Sequence, residues 1–243
     1  MVEIRSNTEL PAKRRALVLH TSDGLDLVAE WALPETADPA AALVMFHPLP
    51  TAGGFMDSHL LRKASNRLPA LADLAVLRFN TRGTISPQGT SAGSFGAAVG
   101  ERHDVDAAVV EGRSLRAPRL VLVGWSFGTD LVLKYGRQPG VGAVVLLSPP
   151  LRYTSDAELA AWAGAGIQMT VLVPELDDFL RPEEARRRFA AVPGAEVIGG
   201  DGAKHLWVGE RYVSQVLDLV ASVALERNVT LPAEWSGGLS SNR

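Results

Sequence analysis

The chain has 243 residues, 47% of them hydrophobic, and a net charge of -3. This length and apolar content suffice for one α/β domain with a large core, whereas the near-neutral charge argues against nucleic acid as the main partner. Because the chain has no cysteine, disulfides, a thiolate nucleophile and cysteine-bound metal sites are excluded.

The ends of the chain and its apolar runs bear on where the protein works. The N-terminal segment MVEIRSNTELPAKRR lacks the apolar region of a secretory signal. No apolar run approaches the roughly 20 residues that a membrane span needs. We therefore expect a cytoplasmic protein without a membrane partner. The sequence does not predict an oligomeric state.

Strand-like apolar runs alternate with helical periodicities along the chain. The predicted strands are Ala16–Leu19, Leu25–Trp31, Ala42–Phe46, Ala75–Phe79, Leu120–Val123, Val141–Leu147, Met169–Val173 and Ala195–Ile198. One predicted helix begins near Ser58 and another follows Gly128. The other predicted helices cover Val99–Leu115, Asp156–Trp162, Pro182–Ala191 and Leu206–Leu225. This alternation predicts a mostly parallel sheet with helices on both faces, in one domain over residues 1–243. Residues 1–13 and 226–243 are expected to be loose ends.

The stretch LVLVGWSFGTDLVL, residues 120–133, carries the strongest functional signal. An apolar strand, a G-x-S-x-G turn and a helix follow one another, which is the pattern of a nucleophile elbow with Ser126 at its tip. Gly124 and Gly128 allow neighbouring backbone to approach closely, and the sharp turn places the serine in a sparsely populated conformation. Ser91 also fits G-x-S-x-G, but no strand precedes it, so we predict a loop there.

A serine nucleophile needs a base and a carboxylate that orients the base. Of the five histidines, only His205 follows Ser126, in a loop between the last predicted strand and the last predicted helix. In the chain order Ser, acid, His, the acid should follow the seventh predicted strand. Glu175, Asp177 and Asp178 stand there, and spacing alone does not decide between Asp177 and Asp178.

An oxyanion hole needs two backbone amides. The amide of Phe127, directly after the nucleophile, is predicted to be one donor. The other should come from the loop after the third predicted strand, where Pro48 and Pro50 have no N–H. Leu49 is therefore the predicted second donor, with Thr51 as the alternative.

Further side chains near the predicted site have two interpretations each. His47 either braces the oxyanion loop through its ring or is only a structural histidine. Trp125, Phe127 and Trp207 flank the predicted site, so they either line an apolar substrate pocket or belong to the core. For Arg82, an ion pair that ties down the loop at 80–96 is preferred over a contact with a negative substrate.

Six segments resemble a known family. They are FHPLPTAGGFMDS (46–58), LRFNTRGTISPQGTS (77–91), GWSFG (124–128), SPP (148–150), LVPELDDFLRP (172–182) and GAKHLW (202–207). With them the chain resembles the α/β-hydrolase superfamily over about residues 40–225, most closely small bacterial serine hydrolases related to dienelactone hydrolases and prolyl-oligopeptidase-like esterases. The resemblance implies an α/β-hydrolase fold. It also implies a minimal or absent cap, because only about 20 residues separate Leu147 from Met169.

The resemblance also bears on the acid. Members of the family usually carry G-x-x-D-x-x-x-P after the seventh strand, which here matches at Asp178 and Pro182 and favours Asp178. Glu175 stands where the glycine is usual, which puts the local turn in doubt. Dienelactone hydrolases proper use a cysteine nucleophile, so that activity is not expected of this chain.

The predicted function is a serine hydrolase, and more narrowly a carboxylesterase, that acts on small soluble esters through Ser126, Asp178 and His205. No cofactor and no metal are required by this chemistry, and the expected partner is a small-molecule ester or acyl substrate. An acyltransferase or amidase would use the same residues. The alternative from another class is a catalytically silent hydrolase fold that binds a ligand or a partner.

Overall fold

The computed structural model describes residues 1–35 and 38–237. Eight strands form the central sheet: β1 (Lys13–His20), β2 (Asp26–Leu33), β3 (Ala41–Phe46), β4 (Leu74–Phe79), β5 (Leu120–Trp125), β6 (Val141–Leu147), β7 (Gln168–Pro174) and β8 (Glu196–Gly200). The helices are α1 (His59–Ala72), α2 (Glu101–Ser114), α3 (Phe127–Tyr135), α4 (Asp156–Ala160), α5 (Pro182–Phe189) and α6 (Glu210–Leu225). Within this part of the chain, no helix has the length and apolar character to cross a membrane.

The strands lie in the order β1-β2-β4-β3-β5-β6-β7-β8. Only the pairings of β1 with β2 and of β2 with β4 are antiparallel, and the other five pairings are parallel. The prediction of a mostly parallel sheet is therefore confirmed. Because parallel strands share a direction, the carboxyl ends of β3, β5, β6, β7 and β8 meet at one edge, where ligands bind in sheets of this type.

Helices cover both faces of the sheet. Strands β3, β4 and β5 are buried at every position, which agrees with sequences that are apolar apart from Arg78 and Gly124. Side chains of β5 alternate between two cores: Leu120 and Leu122 pack with residues of α2, α3 and α5, whereas Val121 and Val123 pack with residues of α1 and α6. The sheet thus lies between two apolar layers, and loops form the edge at the carboxyl ends of the parallel strands.

The start of α6 and the two ends of the chain differ from the prediction. Helix α6 begins at Glu210 instead of Leu206, because Trp207 has a φ of 51° and Gly209 a φ of 118°, neither of which is helical. The expected loose ends also meet: Val2–Glu3 pairs antiparallel with Glu234–Trp235. Residues 238–243 of the expected C-terminal tail lie outside the described residues.

The loop at 80–96 is tied down as predicted. Arg82 pairs with the buried Asp104 at 2.8 Å and with Asp23 at 2.9 Å. The hydrogen bond from Arg82 lowers the pKa of Asp23 to about 2. Ser91 lies in this loop and donates its hydroxyl to the Asn80 carbonyl at 2.9 Å, which agrees with its structural interpretation.

Candidate active site

Ser126 lies at a strained turn between β5 and α3. Its φ of 52° and ψ of -119° belong to a sparsely populated region, at a cost of roughly 1–3 kcal/mol. A Cβ on Gly124 would lie 2.6 Å from the Gly128 carbonyl oxygen, and a Cβ on Gly128 would lie 2.2 Å from the Phe46 carbonyl oxygen. Both glycines of the motif are therefore required by close backbone approach, and the turn presents the serine side chain at the sheet edge.

Three side chains from separate loops form a continuous hydrogen-bonded chain. His205 Nε2 lies 2.8 Å from Ser126 Oγ, and His205 Nδ1 lies 2.8 Å from Asp177 Oδ2. An ionised carboxylate only accepts, so Nδ1 carries the hydrogen and Nε2 is left to accept the serine hydroxyl. The carboxylate side chain is 1% exposed and the imidazole 12% exposed. This arrangement suits the transfer of a proton from a serine to a histidine.

The prediction that Asp178 contacts His205 Nδ1 is wrong, because Asp177 makes that bond and Asp178 is exposed. Beyond β7 the backbone stays paired, with the amides of Glu175 and Leu176 donating to carbonyls of the segment that leads to His205. The Asp177 amide donates to the Pro174 carbonyl at 3.3 Å, which closes a turn over residues 175 and 176. Asp177 Oδ1 accepts hydrogen bonds from the backbone amides of Phe179 at 2.8 Å and Leu180 at 3.3 Å. This turn fixes the carboxylate towards the imidazole and leaves the next side chain in solvent.

The backbone around His205 is held by donors from three other elements. The His205 carbonyl accepts from Trp125 Nε1 at 3.2 Å and from the Ser148 hydroxyl at 3.0 Å. The Leu206 carbonyl accepts from His59 Nε2 at 2.6 Å. Since each bond fixes a backbone group beside the imidazole, this network positions His205 without occupying its ring nitrogens.

The expectation that Trp125 and Trp207 line a substrate pocket is wrong. They are 2% and 0% exposed and belong to the core on the α1 and α6 side of the sheet. Neither contributes to the lining of the cavity that contains Ser126. Trp125 follows Val123 on the same face of β5, so alternation turns it away from that cavity. Trp207 donates to the Ser148 hydroxyl at 2.8 Å and thereby supports the network around His205.

Both predicted oxyanion donors, Leu49 and Phe127, lie in the wall of the cavity that contains Ser126. Phe127 is the first residue of α3, where helical amides have no partner within the helix and the helix dipole favours negative charge. Over residues 1–35 and 38–237, no acceptor takes the amide hydrogen of either residue. Both amides are thus available to a ligand.

His47 braces the loop that carries Leu49. The ring is fully buried, and its Nε2 accepts from the Thr81 amide at 3.0 Å, so Nδ1 carries the hydrogen and donates to the Pro48 carbonyl at 2.6 Å. The Pro48 carbonyl and the Leu49 amide belong to one planar peptide and point in opposite directions. The bond that holds the Pro48 carbonyl therefore also fixes the direction of the Leu49 amide. Burial lowers the pKa of His47 to about 4, although the bond to Pro48 opposes the shift.

The cavity beside Ser126 has a volume of about 160 Å³ and a mainly apolar wall. Its lining consists of Pro48, Leu49, Ala52, Ser126, Phe127, Asp130, Pro150, Arg152, Tyr153, Phe179, His205 and Leu206. Ring contacts define two sides. Phe179 lies 4.6 Å from the His205 ring, between ring centres, and Phe127 lies 5.4 Å from Tyr153. Phe179 is 60% exposed, so the first side opens to solvent.

Asp130 is a charged group in this wall that sequence analysis missed. It is fully buried one helical turn after Ser126, and its Oδ1 accepts from the Thr154 hydroxyl at 2.7 Å and the Tyr153 amide at 3.1 Å. Its Oδ2 is buried and has no partner in the described part of the chain. Burial raises the pKa of this carboxyl, and the bond from Thr154 opposes the shift.

The strand order, the elbow after β5 and the base after β8 together define an α/β-hydrolase fold. Only the five-residue helix α4 stands in the connection between β6 and β7, which agrees with the prediction of a minimal or absent cap.

Solved structures support this assignment. An α/β serine hydrolase without a lid from Xanthomonas campestris is 24% identical, with a TM-score of 0.69 over 90% of this chain and 97% of that one. An α/β serine hydrolase homologue from Coxiella burnetii is 19% identical, with a TM-score of 0.70 over 90% and 97%. An esterase from Pyrococcus furiosus is 14% identical, with a TM-score of 0.73 over 90% and 94%.

At these identities the similarity establishes the α/β-hydrolase fold alone. No protein-family model and no curated protein sequence matches the chain.

The remaining residues that sequence reasoning missed have weak signals or none. Phe179 directly follows two aspartates, and nothing in that spacing places it against His205. Ser148 begins the SPP segment, and nothing in that segment indicates a bond to the His205 carbonyl. Asp130 could have been found, because it is a carboxylate inside the otherwise apolar start of α3, where residues 127–133 are all buried.

Proposed function

We propose that the chain is a serine hydrolase, and more specifically a carboxylesterase that cleaves small soluble esters through an acyl-enzyme on Ser126. The observation that carries this proposal is the unbroken hydrogen-bonded chain from Asp177 through His205 to Ser126, which ends in a cavity with two unpaired backbone amides. Its geometry matches the roles of nucleophile, base and orienting carboxylate.

In the first half of the reaction, His205 Nε2 takes the Ser126 proton while Oγ attacks the ester carbonyl carbon. Asp177 holds the Nδ1–H tautomer and stabilises the imidazolium that forms. The carbonyl oxygen gains negative charge, which the Leu49 and Phe127 amides stabilise by donating hydrogen bonds. A donor of this kind stabilises the transition state by about 3 kcal/mol. The imidazolium then protonates the leaving alcohol, and the acyl group remains on Ser126.

In the second half, water takes the place of the alcohol. His205 accepts a proton from the water as its oxygen attacks the acyl carbon, and the same two amides hold the second oxyanion. Collapse of this intermediate returns the proton to Ser126 Oγ and releases the carboxylic acid. The backbone network around His205 supports both halves, since the imidazole must keep one position while it changes charge.

The cavity supports a small substrate. Its volume of about 160 Å³ and its apolar wall suit a short acyl group, and the absence of a long insertion between β6 and β7 leaves the entrance open. An amidase would use the same residues, and esters are proposed because an alcohol is a better leaving group than an amine.

A panel of p-nitrophenyl esters with acyl chains of two to twelve carbons tests the proposal. We expect steady-state turnover with a maximum of kcat/KM among the short chains and none above background for Ser126→Ala. Equal rates for the two proteins, or no turnover of any ester by the wild type, would contradict the proposal.

A further inference from the structure

We propose that Asp130 binds a hydroxyl group on the acyl part of the substrate, so that esters of hydroxy acids are the preferred class. This inference rests on the proposed esterase function and narrows it to a chemical class. It depends on Asp130, a residue of the cavity wall whose buried Oδ2 has no hydrogen-bond partner among the described residues.

The proposed chemistry assigns the two sides of the cavity. His205 Nε2 protonates the leaving oxygen, so the alcohol part of the ester must lie along the side formed by His205 and Phe179. The acyl part then lies along the opposite side, where Phe127 packs against Tyr153. Asp130 lies on this acyl side, because it is one turn beyond Ser126 on α3 and bonds to the Tyr153 amide.

Structural needs account for only one of the two Asp130 oxygens. Oδ1 anchors the segment at 153–154 through the Tyr153 amide and the Thr154 hydroxyl, and the neutral side chain of asparagine offers the same acceptor. The second oxygen has no partner in the described residues, and an unsatisfied buried oxygen of this kind is costly. Lys134, one turn further along α3, is paired with Glu158 at 2.6 Å and does not neutralise it.

A hydroxyl group fits this oxygen better than the other common donors. It donates to an ionised carboxylate, and it also accepts from a protonated one, so the bond forms in either state. An ammonium group would share the cavity with the cationic Arg152, which lies in the same wall. The remaining acyl side is apolar, so it suits the carbon chain that carries the hydroxyl.

The test compares matched ethyl esters by proton release at constant pH: butanoate against 3-hydroxybutanoate, and hexanoate against 6-hydroxyhexanoate. In the wild type, at least one hydroxy ester should exceed its parent about tenfold in kcat/KM, as expected for a hydrogen bond to a carboxylate. Asp130→Ala, which removes both the acceptor and any donor at this position, should bring that ratio close to one. Thr154→Val, which removes a bond to Oδ1 and leaves Oδ2 untouched, should keep it.

The outcomes separate the two proposals. If the wild type cleaves no ester, the proposed function fails. If it cleaves the parent esters and shows no preference for either hydroxy ester, the role of Asp130 is wrong and the esterase stands, and this comparison does not depend on the folding of a variant. A ratio that Asp130→Ala leaves unchanged, or that Thr154→Val also abolishes, overturns the role as well. Faster cleavage of ethyl 6-aminohexanoate than of the hydroxy ester overturns the hydroxyl class.

Discussion

The turn after β5, which carries Ser126, and the turn after β7, which carries Asp177, lie at the same sheet edge but are held by different interactions. In the first, a Cβ on either motif glycine would clash with backbone, and the contacts that forbid it come from the motif itself and from β3. In the second, the backbone pairs with the segment that leads to His205, and this pairing decides which aspartate faces inward. Steric necessity thus fixes Ser126, the proposed nucleophile, whereas register with a distant segment fixes Asp177, the proposed acid.

The largest effect is expected from a substitution in the sterically constrained turn that carries Ser126. In Gly128→Ala the new methyl would lie 2.2 Å from the Phe46 carbonyl oxygen, and backbone on both sides cannot yield cheaply. We expect ester hydrolysis to fall to background and the free energy of unfolding to drop by about 3 kcal/mol. Urea unfolding and initial ester rates measure the two effects.

Gly199→Ala in β8 is the matched control, since its methyl would meet its nearest neighbour at an ordinary 3.6 Å. This variant should keep its activity and lose less than about 1 kcal/mol of stability. If Gly128→Ala behaves like Gly199→Ala, the steric account of the elbow is wrong.

In the turn after β7, substitutions of the adjacent residues Asp177 and Asp178 should affect kcat very differently. Asp177→Asn presents a different group to His205 Nδ1 and favours the wrong tautomer, so kcat should fall about 10³- to 10⁴-fold. Asp178→Asn changes an exposed side chain, and its rate should stay within about twofold. Parallel kcat measurements on one short ester compare the two variants, and the reverse pattern would restore Asp178 as the acid.

A smaller loss of activity is expected from substitution of His47, which holds the loop that carries Leu49. His47→Gln removes the imidazole that fixes the Pro48–Leu49 peptide, so the Leu49 amide should lose its direction without being removed. We expect kcat to fall about tenfold to hundredfold, less than the loss of a donor costs, with KM changed by less than about threefold. A rise in KM at unchanged kcat would place His47 in ground-state binding instead.

The smallest effect is the pH dependence of stability that His47 contributes. Its pKa is about 4 in the folded chain against an ordinary 6.5, so between these values the unfolded chain binds a proton that the folded chain does not. Stability that is fully present above pH 6.5 is therefore lost as the pH falls towards 4, by about 3 kcal/mol at most.

Urea unfolding of the wild type and of His47→Gln at pH 7 and at pH 4 isolates this contribution, because the other titrating groups are common to both. The difference in unfolding free energy between the two proteins should shrink at the lower pH. A difference that is the same at both values would show that the folded chain protonates His47 normally.

The same contrast explains what could be predicted from the sequence. Ser126, its strand and its helix follow from local apolar patterns and glycine spacing, and His205 follows from chain order. Leu49 follows from the chemistry of its proline neighbours. The choice between Asp177 and Asp178 depends on pairing of residues 175–176 with the His205 segment, which no local pattern encodes. For Trp125 the pocket and the core both stayed open, because its position near Ser126 in the sequence does not reveal which face of β5 it occupies.

The most direct test of the central claim is covalent labelling of the intact protein with a fluorophosphonate, followed by peptide mass spectrometry. If the hydrogen-bonded chain activates Ser126, one adduct should form on Ser126, none should form in Ser126→Ala, and His205→Ala should label at least about 100-fold more slowly. Labelling of His205→Ala at the wild-type rate, or an adduct on any other residue, would contradict the account.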